Sequence, residues 1–172
     1  MLKSNQKKAL RLEDSQIETE TSPGIILQYI SQEEENIIGN ISWSPDGKQL
    51  ASQSSNIITL HNIETGISRI IFRTEGPEKI RWVSWNPIND TLAIAIDSYI
   101  KIISATDGII LFSLKGHKKS INELVFSPTG DLLASSSQDG TVRIWDIVLQ
   151  QEKILAGVYT SITSILHWSP DG

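Results

Sequence analysis

The chain of 172 residues is long enough for one domain with a hydrophobic core, and its 39% hydrophobic residues are ordinary for a soluble globular protein. The formal net charge of −5 gives no electrostatic reason to expect nucleic acid or an acidic membrane surface as a partner. The absence of cysteine excludes disulfide bonds and thiolate metal sites, and no apolar run approaches the roughly 18 residues that a membrane-spanning helix needs.

Residues 1–22 differ in kind from the rest of the chain. They hold four basic and four acidic residues and no strand pattern, and KKALRLED (7–14) is too short to persist as an isolated helix. We predict a disordered tail, with a helical contact to a partner as the alternative. Because no apolar core and no small-residue cleavage site follow the first lysines, the segment is not typical of a secretory signal, and we expect a cytoplasmic location.

Four similar segments then recur along the chain, and each places a proline two residues after a bulky aromatic residue. The prolines are 42, 41 and 42 residues apart. The pairs are Trp43 and Pro45, Trp85 and Pro87, Phe126 and Pro128, and Trp168 and Pro170. Such a period predicts one supersecondary unit per repeat, stacked on its neighbours so that each unit buries its faces.

The third repeat shows what this unit is. An SPTG turn and a QDG hairpin separate segments that alternate or are continuously apolar, and no segment has a helical period over ten or more residues. We predict strands at INELVF (121–126), DLLASSS (131–137), TVRIWDI (141–147) and EKILAG (152–157). Four antiparallel strands per repeat form the blade of a β-propeller, so the predicted fold class is all-β with an incomplete ring of blades.

The other repeats give the predicted domain bounds. The partial propeller covers residues 23–172, and a strand is also indicated at GIILQYI (24–30). We place blades at about residues 37–73, 78–115 and 119–156, and the first strand of a fourth blade at 161–168. In the first hairpin, Ser55-Asn56, we expect the asparagine to take the left-handed conformation.

With these residues in view, the chain resembles the WD-repeat β-propeller family. The third repeat carries the full signature, in Gly116-His117, SPTG (127–130), Asp139-Gly140 and Trp145-Asp146. The resemblance implies a structural hydrogen-bond network of four side chains in that blade. Its members are His117, Ser135, Asp139 and Trp145.

Ser135, His117 and Asp139 also have the residue types of a hydrolase triad. A buried aspartate stays ionised only when it is hydrogen-bonded, and a buried indole N–H needs an acceptor, so a structural network accounts for these residues. The sequence contains no G-x-S-x-G elbow. We therefore predict a structural role and no enzyme activity, with a propeller hydrolase as the competing hypothesis.

Repeats one and two depart from the family pattern. At the Trp-Asp position they have His61-Asn62 and Ile103-Ser104. We expect their blades to lack the buried polar network and to depend on apolar contacts of their many isoleucines.

The family pattern also bears on closure of the ring. The resemblance implies that strand 24–30 completes the last blade, but the partner strands of that blade are absent and the sequence looks truncated. We consider a fragment of a longer protein, a ring closed by a second chain or by another copy, and a self-sufficient arc. An open first blade and an unpaired edge at 162–168 favour self-association.

Few residues indicate a ligand other than protein. His61, His117 and His167 do not have zinc-ligand spacing, no phosphate-loop motif is present, and we predict no cofactor or metal. The basic cluster GHKKS (116–120) is interpreted as a solvated loop between blades rather than an anion site.

The resemblance implies a non-catalytic scaffold whose partners are other proteins or peptides, not nucleic acid or membrane. In the family, partners often bind the face lined by the loop into the first strand and the hairpin after the second. Arg81 is the strongest single candidate, because arginine makes planar bidentate contacts, whereas an ordinary exposed polar residue is the alternative for each position. The matching residues are Lys79, Arg81, Ile96, Ser120, Asn122 and Gln138.

The alternative function is a sensor or regulatory part of a multidomain signalling enzyme. Its catalytic domain, of a kinase, protease-like or NTPase type, would then lie outside this chain. The sequence does not name a partner, because fold alone does not determine function.

Overall fold

The computed structural model describes residues 38–158 and 165–172, which belong to one compact unit, Glu35–Gly172. The predicted tail (1–22), the predicted strand 24–30 and residues 161–164 of the predicted fourth-blade strand lie outside the described residues. Among the described residues, no helix is long and apolar enough to cross a membrane.

The described residues form three antiparallel sheets, each with four strands in chain order. The predicted all-β class with incomplete propeller blades is therefore confirmed. Blade 1 contains β1 (Ile38–Trp43), β2 (Gln49–Ser54), β3 (Ile57–Asn62) and β4 (Ser68–Arg73). Blade 2 contains β5 (Ile80–Trp85), β6 (Thr91–Ile96), β7 (Tyr99–Ser104) and β8 (Ile110–Lys115). Blade 3 contains β9 (Ile121–Phe126), β10 (Leu132–Ser137), β11 (Thr141–Asp146) and β12 (Gln151–Val158).

The blades have two distinct ends. We call the end at which the first strand of each blade begins the entry end. It carries residues 55–56, 74–79, 97–98, 116–120 and 138–140, which link strands there. The opposite end carries residues 44–48, 63–67, 86–90, 105–109, 127–131 and 147–150.

Turn chemistry fixes where the strands reverse. In the first hairpin the left-handed residue is Ser55, with φ of 44°, and not Asn56 as predicted from residue type. The positive φ thus falls on the first residue of the two-residue link, so position in the turn decides over residue preference. Asp97 repeats the conformation in blade 2, with φ of 45°.

Two apolar cores lie between successive blades. Strand β6 supplies both, because neighbouring residues of a strand point to opposite faces of the sheet. Leu92, Ile94 and Ile96 pack with residues of blade 1, whereas Ala93 and Ala95 pack with residues of blade 3. Successive blades thus pack against each other through these cores, and the entry-end loops lie on the same side of the stacked blades.

Candidate functional site

The third blade contains a continuous buried chain of polar side chains. The indole Nε1 of Trp145 donates a hydrogen bond of 2.8 Å to Ser135 Oγ, which lies 2.7 Å from His117 Nε2. On the other side of the imidazole, Nδ1 lies 3.0 Å from Asp139 Oδ2. The structure therefore brings together the four residues that the sequence grouped.

The contacts determine the direction of each proton. Because the ionised Asp139 can only accept, His117 Nδ1 is its donor, and in a neutral ring Nε2 then accepts the hydrogen of Ser135 Oγ. Burial lowers the pKa of His117 and outweighs the opposing effect of the Asp139 carboxylate, so a neutral ring in this tautomer fits the site.

Asp139 is the acceptor that holds the loop of blade 3 in place. Its carboxylate accepts hydrogen bonds from Lys118 N at 2.8 Å, from Thr141 N at 2.9 Å and from Thr141 Oγ1 at 2.6 Å. Burial by itself raises the pKa of Asp139, but these hydrogen bonds and the one from His117 outweigh it and hold the pKa well below its usual value. The aspartate is ionised because it is fully hydrogen-bonded.

The order Ser–His–Asp is that of a catalytic triad, but access distinguishes the two. Ser135 has a relative exposure of 0%, and the side chain of His117 is equally inaccessible. A nucleophile must reach the substrate carbonyl and face an oxyanion hole. The buried hydroxyl between a tryptophan and a histidine does neither, and its role in this geometry is to satisfy two polar groups inside the blade.

Blade 1 was predicted to lack the buried polar network, and it has in its place a shorter polar chain that is only partly buried. Ser52 Oγ lies 2.8 Å from His61 Nε2, and His61 Nδ1 lies 2.7 Å from Ser68 Oγ. Leu50 pairs with His61 as Leu133 pairs with Trp145, so His61 takes the place of the tryptophan and Ser52 that of Ser135. An imidazole nitrogen thus replaces the indole as the hydrogen-bonding partner of the serine, but the chain has no aspartate and ends at the exposed Ser68.

Blade 2 fills the same two positions with apolar side chains. Ile94 stands where Ser135 stands and Ile103 where Trp145 stands, as the pairing of Leu92 with Ile103 shows. Both isoleucines have 0% exposure. Since both polar partners are replaced together, no buried group loses its hydrogen bond.

Polar side chains also join one blade to the next, and the sequence did not single them out. The side-chain amide of Asn40 donates to Val83 O at 3.0 Å and accepts from Val83 N at 2.8 Å, and so connects β1 with β5. Asn86, which has 0% exposure, donates to Gly130 O at 2.9 Å and connects blades 2 and 3. The available signal was that asparagine replaces the serine of the Ser-Pro turn in repeat two.

Residues 165–168 do not form a strand, but they contact β9 in the same way as β5 contacts β1. Leu166 N donates to Glu123 Oε2 at 2.8 Å, and Trp168 Nε1 donates to Val125 O at 3.0 Å. Glu123 is thus related to Leu166 as Asn40 is related to Val83. These residues occupy the position of the first strand of a following blade.

The structure separates the predicted face residues by exposure. Lys79, Arg81 and Gln138 are exposed at the entry end, and Ser120 is half-buried there. Arg81 Nε donates to Asp97 Oδ1 at 3.3 Å, and both side chains remain well exposed. Ile96 corrects the prediction, because its side chain points into the core between blades 1 and 2 with 0% exposure.

The remaining predicted residue, Asn122, is half-buried on β9 and takes part in contacts of its own. Within residues 38–158 and 165–172, no group of three or more His, Cys, Asp or Glu side chains is arranged to hold a metal ion. The exposed charged side chains of the entry-end loops include cations, such as Lys79, and carboxylates, such as Glu75 and Glu78.

The sequence matches one family model and several known proteins. Residues 108–146, which span β8 to β11, match the family model "WD domain, G-beta repeat". The chain is 30% identical to an uncharacterised WD repeat-containing protein of Synechocystis sp., over 75% of this chain and 37% of that protein. It is 33% identical to WD repeat-containing protein 26 homolog of Arabidopsis thaliana, over 78% of this chain and 24% of that protein.

A third match covers more of this chain. It is 24% identical to apoptotic protease-activating factor 1 of Rattus norvegicus, over 87% of this chain and 12% of that protein. The chain spans less than half the length of each of these relatives.

Proposed function

Because the described part of this chain is built from repeats of the WD40 type, we propose that it is a non-catalytic scaffold that binds protein or peptide partners at the entry end. WD40 repeats generally mediate protein–protein interactions and are generally non-catalytic. The observation that carries the proposal is the burial of Ser135, because it removes the reactive group of the Ser–His–Asp chain from any substrate.

The entry end offers a rigid surface for such a partner. Ile80 N donates to Ser55 O at 2.8 Å, and Ile121 N donates to Asp97 O at 2.7 Å, so the hairpins of blades 1 and 2 are tied to the first strand of the next blade. The side chains on these loops are thus held in place before a partner arrives, which lowers the entropic cost of binding. Arg81 stands on this surface with its guanidinium exposed.

Selection of peptides from a random phage-displayed library on the purified chain tests this function. We expect enriched peptides to bind the wild-type chain and Lys48→Ala equally by calorimetry, and Arg81→Ala about threefold to tenfold more weakly. Lys48 is the matched control, because it is an exposed cation at the opposite end. Peptides indifferent to Arg81→Ala would place binding elsewhere, and a library without enrichment would contradict peptide binding.

The second candidate is a regulatory part of a larger signalling protein. It is favoured by the match to apoptotic protease-activating factor 1, in which the matched region is a small part of a long chain. Sequencing the DNA on both sides of the coding region tests it. A catalytic or nucleotide-binding motif in the same reading frame supports this candidate, and stop codons in frame on both sides overturn it.

We also infer that the exposed part of blade 1 around Trp43 packs against a second copy of the chain. Trp43 retains 39% exposure, whereas Trp85, which occupies the same position in blade 2, retains 4% because blade 1 covers it. Exposed apolar sheet faces favour association. Light scattering after size exclusion should give a discrete dimer or trimer that Trp43→Lys converts to monomer and Ile67→Lys does not, and a monomeric wild-type chain would contradict the inference.

A further inference from the structure

We propose that the boundary between blades 2 and 3 at the entry end binds an acidic peptide segment of a partner protein, through Arg81, Lys118 and Lys119. This proposal rests on the proposed scaffold function and adds to it the chemistry of the partner. It starts from the distribution of charge over the two ends of the blades.

The described chain is electrically asymmetric. The loops at the opposite end carry one basic residue, Lys48, and five acidic ones, which are Asp46, Glu64, Asp90, Asp107 and Asp131. Several of these aspartates accept hydrogen bonds inside their own turns, as Asp46 does from Ser44 Oγ at 2.6 Å, so local turn structure accounts for their presence. An acidic segment is repelled from this end.

The entry end has a different balance. Its cations at the blade 2–3 boundary, Arg81, Lys118 and Lys119, are exposed. The two carboxylates beside them are already engaged, since Asp97 pairs with Arg81 and the side chain of Asp139 is 6% exposed and fully hydrogen-bonded. Three cations against two ionised carboxylates leave a small net positive charge at this boundary, and the exposed Lys118 and Lys119 carry it.

The remaining carboxylates of the entry-end loops are Glu75 and Glu78, and their loop also carries the exposed Lys79. Glu75 and Glu78 are on the loop 74–79, whose Thr74 N donates to Asn56 O of the first hairpin at 3.0 Å. Glu78 also accepts a hydrogen bond of 2.7 Å from the hydroxyl of Tyr99. Glu78 thus contacts blade 2, whereas Lys118 and Lys119 lie on the separate loop 116–120.

Backbone contacts make this boundary one continuous surface. Arg81 Nε donates to Asp97 Oδ1, and Asp97 O accepts from Ile121 N, the first residue of β9. The hydroxyl of Ser137 donates to Lys119 O at 3.0 Å, and Lys118 N is held by Asp139. The loop that carries both lysines is fixed by the same buried network that stabilises the blade.

An extended segment with several carboxylates fits this arrangement. Arginine binds carboxylate oxygens in a planar, bidentate way, whereas lysines act as compact charges that tolerate variable spacing. A positive edge on a chain with a net negative charge also steers an acidic partner to one end of the molecule.

Fluorescence anisotropy of a short labelled peptide of alternating glutamate and glycine tests the proposal. We expect binding that weakens with added salt, and a matched peptide with glutamine in place of glutamate should bind about tenfold or more weakly. Lys118→Gln/Lys119→Gln and Arg81→Gln should each weaken binding about fivefold to tenfold. Lys48→Gln/Lys153→Gln removes the same charge as the double variant from exposed sites away from this surface and should change binding less than about twofold.

Three results would overturn the proposal. If the glutamate and glutamine peptides bind equally tightly, charge does not drive binding. If the two double variants lose the same affinity, the peptide does not bind at the assigned surface. A single-stranded oligodeoxythymidylate that binds as tightly and responds to the same variants would indicate a general polyanion surface. If library-selected peptides bind through Arg81 but lack acidic residues, this proposal fails and the scaffold function stands, whereas both fail if no peptide binds.

Discussion

Ser52 Oγ and His61 Nε2 lie 2.8 Å apart in blade 1, in the positions that Ser135 and Trp145 occupy in blade 3. Blade 2 has Ile94 there in place of the serine. The same location therefore accepts three solutions, which are a tryptophan–serine pair, a histidine–serine pair and an apolar pair. What the position requires is that neither partner is left unsatisfied when both are buried.

Neighbouring serines in β10 provide a direct test of the blade 3 network. Ser135→Ala removes the acceptor of Trp145 Nε1 and the partner of His117 Nε2, and should lower the free energy of unfolding by about 1–3 kcal/mol. Ser136→Ala is the control, because Ser136 Oγ is buried with no hydrogen-bond partner, and it should be neutral or stabilising. Urea unfolding followed by tryptophan fluorescence measures both, and equal effects would contradict the network.

Asp139 should be the acidic residue on which blade 3 depends most. Asp139→Ala leaves His117 Nδ1, Lys118 N and Thr141 N without their acceptor and should cost about 1–3 kcal/mol in unfolding free energy. Asp107→Ala removes hydrogen bonds with Ile109 N and Ser104 at an exposed turn and should lower the free energy of unfolding much less. A smaller effect at Asp139 than at Asp107 would refute its role.

Acid should weaken the fold through the same aspartate. Because the pKa of Asp139 is lower in the folded chain than in the unfolded one, the unfolded chain binds more protons as the pH falls below about 4. The stabilisation is thus present above that range and is lost below it. Across this range, the free energy of unfolding should fall more steeply with decreasing pH in the wild-type chain than in Asp139→Ala.

His61 should make blade 1 sensitive to mildly acidic pH. Burial lowers the pKa of His61, so the unfolded chain takes up the proton first, and stability falls as the pH drops below the ordinary histidine value of about 6.5. His117 contributes with the same sign, since burial also lowers its pKa. The measured loss of stability in this range is the sum of the two effects.

Copying blade 2 into blade 1 isolates the contribution of His61. Ser52→Ile/His61→Ile should stay within about 1 kcal/mol of wild type at neutral pH, since both partners are replaced together, and should lose less stability on acidification. His61→Ile alone leaves the hydroxyl of Ser52 without its hydrogen-bond partner and should lower the free energy of unfolding by about 1–3 kcal/mol. Urea midpoints at neutral and mildly acidic pH measure these effects. If the double variant keeps the pH dependence of the wild-type chain, His61 does not cause the loss of stability in acid.

The amide of Asn86 should couple blades 2 and 3. Asn86→Ala breaks a buried hydrogen bond to Gly130 O and leaves that carbonyl unpaired, at a cost of about 1–3 kcal/mol in unfolding free energy. Asn89→Ala, in the same turn but exposed, should change the unfolding free energy by less than about 0.5 kcal/mol. If both variants unfold at the same urea concentration, the contact between the blades contributes nothing.

The sequence by itself determined the strands, the turns and the repeat. INELVF (121–126) coincides with β9, and the Ser-Pro turns and the hairpin at Asp139-Gly140 lie where residue types predicted them. These features depend on side-chain alternation and on local backbone preference, and both are properties of a few consecutive residues. The resemblance of one repeat to a known pattern also grouped His117, Ser135, Asp139 and Trp145.

Only the tertiary structure decided which residues meet across strands and across blades. Ile96 precedes a hairpin and was expected at a surface, but the neighbouring blade buries it. The pairing of His61 with Ser52 and the reach of Asn86 to Gly130 depend on strand register and on the packing of successive blades. Burial and hydrogen bonding are set by neighbours distant in the chain, so a local pattern carries no information on them until the blades are stacked.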